Sequence, residues 1–494
     1  MRTVQWSWQP EPCSSLAPGH NQPAAPGRHR SRRPSASRSR RWVTSCAATV
    51  APKSRKLPPG NLSSEIDLQG VSHQERVREF GAVYKTRMHG QDTVVVDDPV
   101  QVQALLVANY GVIENDWGPG VSQLLGQGAI ANQEGDAHRR SRRVLTKVFT
   151  KEATLSYIPD VSRLAASFLS TWSGHEDTEL LGELKNFTFD ISCSLIMGFD
   201  LQEQERRQLR RDFTTLTSGF FAHPFDQSNP IAAAAMAARS RLLERIEPRI
   251  SSEPDDQGNA SDHAGGSVTQ HTPIQRLYTA SQAEGEALSL GELLDQSINL
   301  MMASTETTAY SICNMMLELE RAPEIVQRLA KEQEALMQQH GPEITGQVID
   351  GMVYGEAFTR EVLRVHSPVP SVFRRPLIDL DVAGFTVPKG WMLQLMLKQQ
   401  KLGEHMSPNQ PGFHPERWLD ERGHLIEQPP SFMPFGGGPR LCLGWMLAKV
   451  EIKVVTALFV RGYTCQQPCP QSPLSPNDLT TADDSILMTF ARQT

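Results

Sequence analysis

The chain has 494 residues, 39% hydrophobic and 21% charged, which is ample for a large buried core. A net charge of −6 gives no reason to expect a nucleic-acid partner. Seven cysteines (13, 46, 193, 313, 442, 465 and 469) stand singly, which argues against a disulfide-stapled secreted fold and for a reducing compartment.

Residues 1–60 carry eleven Lys or Arg against one acid, Glu11. Within them, Ala25–Arg41 mixes Arg, Ser, Ala and Pro with no carboxylate and no apolar run long enough for a secretory signal. That composition predicts an organelle transit peptide over about residues 1–56. Plastid is favoured over mitochondrion, because Pro and Ser interrupt an amphipathic helix; a disordered basic tail is the alternative. Nowhere do ~20 apolar residues run together, so no membrane-spanning helix is expected, only a soluble or peripherally attached chain.

Folded structure is expected from Leu57 to the C-terminus, residues 57–494. Residues 93–97 (TVVVD) predict a strand, and apolar spacing of three and four predicts helices at Val100–Val107, His138–Phe149, Leu180–Met197 and Ala232–Ile250. Residues 251–272 are Ser, Asp and Gly with almost no apolar side chains and predict a disordered surface loop. A long apolar helix, Leu288–Leu319, follows; Leu377–Val387 suggests a small sheet; Pro-rich turns run through Pro430; and a last helix starts after Cys442 and reaches Phe459. No internal repeat is present. The expected fold class is mainly α with a minor β component.

The densest pattern is FMPFGGGPRLCLGWMLAKVE, Phe432–Glu451. Gly436–Gly438 allow a tight loop whose backbone can approach a flat ligand. Cys442 ends that loop at a helix entrance, where amide N–H groups favour a thiolate. Arg440, two residues earlier, can hold a carboxylate. By itself a cysteine before a helix is usually a small buried hydrophobe. Three further groups stand out. Glu361 and Arg364 share a helix face; alone they read as a solvated pair. His138 and Arg142 lie four apart in GDAHRRSRR, alone a basic helix face. Glu306 and Thr307 interrupt the apolar helix in Ala303–Thr308 (ASTETT), where a hydroxyl can bond a backbone carbonyl. Cys465 and Cys469 make a weak Cys-x₃-Cys metal pattern and read as surface-loop cysteines. Apolar residues around Phe220–Phe225 suggest either a greasy entrance or ordinary loop contacts.

Phe435, Gly438, Arg440, Cys442 and Gly444 match every fixed position of the haem signature of the cytochrome P-450 superfamily, F-x-x-G-x-R-x-C-x-G, with Ala448 and Glu451 also in place. The chain resembles that family from about Leu57 onward. The resemblance implies one large helical unit with a small sheet region, and haem with Cys442 as the axial thiolate on iron. It implies haem-carboxylate donors at His138, Arg142, Arg374 and Arg440, with adjacent Arg375 an alternative to Arg374. It implies a structural network of Glu361, Arg364 and, from the PERW segment, Arg417. Glu306 and Thr307 match the acid–alcohol pair, Ser304 standing where the family has Gly. Met392–Gly412 departs from the family pattern. HRRSRR, SGFFAHPFDQ and FRRPLIDLDVAGFTVPKGW look most like the branch with retinoid and sterol hydroxylases.

The implied activity is hydroxylation of a lipophilic isoprenoid (retinoid, carotenoid derivative or sterol) by a monomer. It would use O₂ and two electrons from NADPH through a flavoprotein reductase or ferredoxin. The alternatives are a haem-thiolate isomerase or dehydratase acting on peroxides without a reductase, and a non-catalytic haem binder.

Overall fold

The computed structural model describes residues 56–493 other than 66–72, 89, 109–110, 175–177, 200, 221, 223–224, 227, 252–273, 275–287, 399–411 and 468–485. The basic N-terminal segment, the Ser/Asp/Gly-rich stretch, Cys469, half of Phe220–Phe225 and most of Gln399–Gly412 thus lie outside the described residues.

Among the described residues the helices are α1 His73–Phe80, α2 Pro99–Leu106, α3 Gly118–Leu125, α4 Gly135–Thr146, α5 Lys151–Ser156, α6 Ile158–Trp172, α7 Leu180–Ile191, α8 Glu203–Ser218, α9 Pro230–Ser251, α10 Leu290–Arg321, α11 Pro323–His340, α12 Gly346–Gly351, α13 Val353–Val365 and α14 Trp445–Gly462. None is long and apolar enough to cross a bilayer. The strands are β1 Gly60–Glu65, β2 Val83–Met88, β3 Gln91–Val96, β4 Ile113–Asn115, β5 Thr178–Glu179, β6 Ser371–Pro376, β7 Leu380–Val382, β8 Phe385–Val387, β9 Met392–Met396, β10 Tyr463–Gln466 and β11 Leu487–Arg492. They form a six-stranded sheet in the order β1-β2-β3-β9-β6-β4, a three-stranded sheet β10-β11-β5 and the hairpin β7–β8.

The TVVV run lies at the middle of the large sheet, between β2 (antiparallel) and β9 (parallel), with Thr93 to Val96 all fully buried. A strand covered on both faces has no need to alternate polar and apolar residues. The β7–β8 turn, Ala383 and Gly384, has positive φ at both residues, the twist that a two-residue hairpin favours.

Helix α10 organises the molecule. Ser289 and Glu292 start it with reciprocal bonds, Glu292 N to Ser289 Oγ at 3.2 Å and Ser289 N to Glu292 Oε2 at 2.8 Å. Its N-terminal half, Leu293 to Met301, belongs to one hydrophobic core with α3, α4 and α9. Its C-terminal half, Ala309 to Leu319, belongs to another with α6, α7, α13 and α14. The polar run ASTETT sits where the two cores meet.

Two expectations need correction. Leu180–Met197 is not one regular helix: α7 ends at Ile191 and widens into a π turn, Ser192–Ile196, with Met197 N bonded to Ser192 O at 3.0 Å. Cys465 is not in a surface loop. It lies in β10 opposite Phe490 of β11, half-buried, and burial pushes its thiol up to about 12. A one-sided strand places alternate residues inward, and loop composition around it hid that period.

Candidate active site

The cysteine loop is shaped by glycines at two places, one of which leaves no room for a side chain. Gly436 and Gly438 both have positive φ, and a Cβ on Gly438 would lie 2.2 Å from the carbonyl oxygen of Leu106 in α2. Cys442 N–H closes the loop by donating to Phe435 O at 3.0 Å, and α14 begins three residues later. Cys442 has open surface. Yet burial is the largest influence on its thiol and pushes it up, opposed by the Gly444 N–H and the Arg142 guanidinium, which both favour the thiolate. Gly444 therefore contributes its backbone N–H, and its missing side chain faces Phe149.

Around this cysteine the fold gathers donors from three segments. His138 and Arg142 come from α4; His138 is buried, and Arg142 Nη2 donates to Leu441 O at 2.7 Å, next to the cysteine. Burial first, then Arg440, Arg142 and Arg139, pull the His138 imidazole down to about 3, so it is a neutral donor. Arg374 comes from β6 and is buried; desolvation and nearby Arg440 bring it down to about 10, which leaves it charged. Arg440 donates to Ile130 O at 3.1 Å and Gln133 O at 2.6 Å, and pairs with Glu134 at 2.6 Å. Arg375 is turned elsewhere: it bonds Gly390 O, Gln91 and Asp116.

Arg142, Arg374 and Arg440 thus bring three guanidiniums together with the neutral His138 imidazole, Glu134 pairing with Arg440. Planar guanidinium forks suit carboxylates, and the two carboxylates of a haem can accept from several such donors. The residues present therefore fit haem: an exposed cysteine with an amide N–H and a guanidinium that favour its thiolate, beside a cluster of carboxylate donors.

Glu361 is fully buried and saturated. It accepts from Arg364 Nε and Nη2 (2.8 and 2.7 Å), Arg417 Nε (2.9 Å), Trp418 Nε1 (2.9 Å) and His414 N (2.8 Å). Burial alone would raise its carboxyl, but the Arg364 contact and the other donors win and hold it low. Sequence reading missed a second network on the same helix. Buried Glu356 of α13 is bracketed by Arg360 (2.9 Å), Lys453 (2.9 Å) and Lys449, the two lysines projecting from α14. A lysine inside the apolar run VEIKVV was the signal available for it.

On α10, Glu306 faces α7, where Lys185 Nζ lies 2.9 Å from its carboxylate; Lys185 also escaped the sequence reading. Thr307 Oγ1 donates to Ala303 O (2.8 Å), Ser304 Oγ to Leu300 O (2.8 Å) and Ser311 Oγ to Thr307 O (2.9 Å). Thr188 of α7 donates to Thr305 O at 3.0 Å. The helix stays continuous through Ser304, and Ala303 is exposed between half-buried Met302 and Ser304.

A mainly helical fold, a cysteine loop of this form and a built carboxylate site define a haem-thiolate protein. A sequence model of the family described as Cytochrome P450 matches residues 64–490. The putative cytochrome P450 120 of Synechocystis sp. is 28% identical, covering 83% of this chain and 91% of that protein. Cytochrome P450 26B1 of Xenopus tropicalis is 27% identical, covering 84% and 82%. A solved structure of retinoic acid bound cyanobacterial CYP120A1 superposes with a TM-score of 0.76 at 25% identity, covering 89% of this chain and all of that one. The chain belongs to the cytochrome P450 family and is a haem-dependent monooxygenase.

Proposed function

We propose that this monooxygenase hydroxylates a lipophilic isoprenoid, of which retinoids, carotenoid derivatives and sterols are the candidates. Cys442 would ligate the haem iron; His138, Arg142, Arg374 and Arg440 would hold the haem carboxylates; Phe435, Gly438 and Gly444 shape the cysteine loop; and Glu306 and Thr307 would manage protons. Thiolate-ligated haem, when bound, supplies oxygen activation and C–H hydroxylation. The chain's own part is to ligate, to neutralise the cofactor's carboxylates and to deliver protons. The observation that carries the reading is the Glu306–Thr307 pair, kept with a lysine partner at the polar junction of two apolar cores. A peroxide isomerase has no use for a proton-delivering acid and alcohol. The retinoic acid held by the cyanobacterial neighbour supports an isoprenoid substrate.

Electrons come from an acidic donor protein, a ferredoxin or an NADPH-fed flavoprotein reductase. Arg139, Arg143 and Lys147 are exposed four residues apart along and just beyond α4. The same helix touches the Cys442 loop through Arg142. The Arg- and Ser-rich N-terminal segment directs the chain to a plastid, with the mitochondrion second, and is removed there; the catalytic domain starts near Leu57 and works as a monomer.

The test begins with reduced protein under CO, which shows the red-shifted Soret band of thiolate ligation and loses it in Cys442→Ser. Retinoids, carotenoid fragments and sterols are then screened for the optical spin shift of a bound substrate. The hit should be hydroxylated only with O₂ and a reductant. Rearrangement of lipid hydroperoxides with neither would establish the isomerase instead.

A further inference from the structure

Between α3 and α4 the chain from Gly126 to Glu134 has neither helix nor strand, yet it is gripped from two sides. On one side is α10. Gln296 of that helix is fully buried, and both ends of its amide go to the segment: Nε2 donates to Gly128 O at 2.7 Å, and Oε1 accepts from Ile130 N at 3.0 Å. Asp295 beside it accepts from Gly128 N at 2.8 Å. The approach is close, since a Cβ on Gly128 would lie 2.8 Å from the Cα of Glu292. On the other side is Arg440, which donates to Ile130 O at 3.1 Å and Gln133 O at 2.6 Å and pairs with Glu134. Ile130 is therefore shared: Gln296 holds its N–H and Arg440 its carbonyl.

A turn segment has no ladder of its own to fix where its carbonyls point, so its polar groups must be held from outside. A side-chain amide suits this place because it donates and accepts at once. An ionised carboxylate would set an oxygen against Gly128 O, and an apolar side chain would leave a buried N–H and C=O unpaired, which is costly. We propose that Gln296 is a positioning residue for the cofactor. It holds the segment against α10, and the segment's carbonyls hold the Arg440 fork in the orientation that meets a haem carboxylate. This rests on the reading of Arg440 as a haem-carboxylate donor.

The test compares haem with its dimethyl ester, whose carboxylates are blocked. Protein reconstituted with either is mixed with excess apomyoglobin, and the transfer rate is followed by absorbance. Gln296→Leu removes both bonds while keeping a side chain of similar size. It should speed the transfer of haem several-fold and leave that of the ester nearly unchanged, because only free carboxylates use Arg440. Gly128→Ala crowds the segment away from α10 with Gln296 in place, and should give the same pattern. Ser297→Ala is the control: its hydroxyl donates to Leu293 O within α10 at 2.8 Å, so neither rate should change. The resonance Raman band of the haem carboxylates should shift in the first two variants and not in the third.

Equal acceleration for haem and ester would overturn the proposal and leave Gln296 an ordinary tie between α10 and a turn. Natural rates in both Gln296→Leu and Gly128→Ala, or the same acceleration in Ser297→Ala, would overturn it too. If Gln296→Leu holds neither cofactor, Gly128→Ala decides by the same criteria, and failure of both variants to hold either cofactor also counts against it. Should the natural protein release haem and ester at one rate, the carboxylate-site reading of Arg440 fails instead.

Discussion

Glu361 and Glu306 are both glutamates on helices and both face a cation, yet their surroundings are opposite. Glu361 has no exposed surface and receives five hydrogen bonds from three side chains and a backbone amide. Every lone pair is engaged and no proton can enter or leave. Glu306 keeps part of its surface open and has one lysine at 2.9 Å. A carboxylate saturated with donors is a fixed charge and therefore architecture. One with a single partner can change partners, which proton delivery requires.

The largest effect should come from Glu361→Ala. Removing one member of a buried, hydrogen-bonded ion network leaves Arg364 and Arg417 without their counter-charge, at a cost of ~3–5 kcal/mol. The protein should fail to retain haem, measured as haem absorbance per protein after purification; normal haem content would put Glu361 among solvated surface pairs. Glu356→Ala should follow, with a smaller loss, because Lys449 and Lys453 are flexible and keep some access to solvent. A melt showing Glu356→Ala as stable as the natural protein would mean that this bracket is inert.

How much of this was legible depended on distance along the chain. The cysteine loop is a ten-residue pattern whose every fixed residue has a local reason, as Gly438 shows against the Leu106 carbonyl. Glu361 and Arg364 are three apart on one helix, whereas Arg417 came only through resemblance. The choice between Arg374 and Arg375 was illegible in principle: neighbours on a strand point to opposite faces, and only the fold says which face is inside. Lys185 with Glu306, Glu134 with Arg440 and Glu356 with Lys449 pair residues roughly a hundred or more positions apart, on elements that nothing local in the sequence brings together. The π turn at Ser192–Ile196 left no pattern at all.

A third glutamate sharpens the contrast. Glu451 of α14 is buried, and its Oε2 has no hydrogen-bond partner. Burial alone pushes its carboxyl up, to about 8. Glu361 and Glu356 are held low, so their stabilisation is present above the unfolded carboxylate range and is lost as pH falls through their folded values. Glu451 has the opposite sign. Between 4.5, its unfolded value, and about 8, the unfolded chain releases a proton that the folded chain keeps. Stability should therefore fall by about 1.4 kcal/mol per pH unit across that window and level off above it. Urea titrations of holoprotein at several pH values should show this slope, and Glu451→Gln should flatten it. The same slope in both proteins would place its origin elsewhere.

The smallest effect on stability, and the most informative for catalysis, is expected from Lys185→Met. The Lys185–Glu306 pair is partly open to solvent, and pairs of that kind contribute at most ~1 kcal/mol; the melting temperature and the CO spectrum should therefore barely move. Function should change. Thr307 already donates its hydroxyl proton to the Ala303 carbonyl, so it can pass a proton onward only if another group replaces it. Glu306 is the neighbouring acid, and Lys185 Nζ, 2.9 Å away, orients its carboxylate. With methionine at 185, Glu306 loses that hold, and more of the reducing equivalents should end as hydrogen peroxide instead of product. Thr307→Ala should show the same diversion more strongly, and the double variant should be little worse than Thr307→Ala alone, because the two residues serve one route. If Lys185→Met lowers the melting temperature by as much as Glu356→Ala while product per electron stays constant, Lys185 is a tie between α7 and α10 and the proton reaches Thr307 by another path.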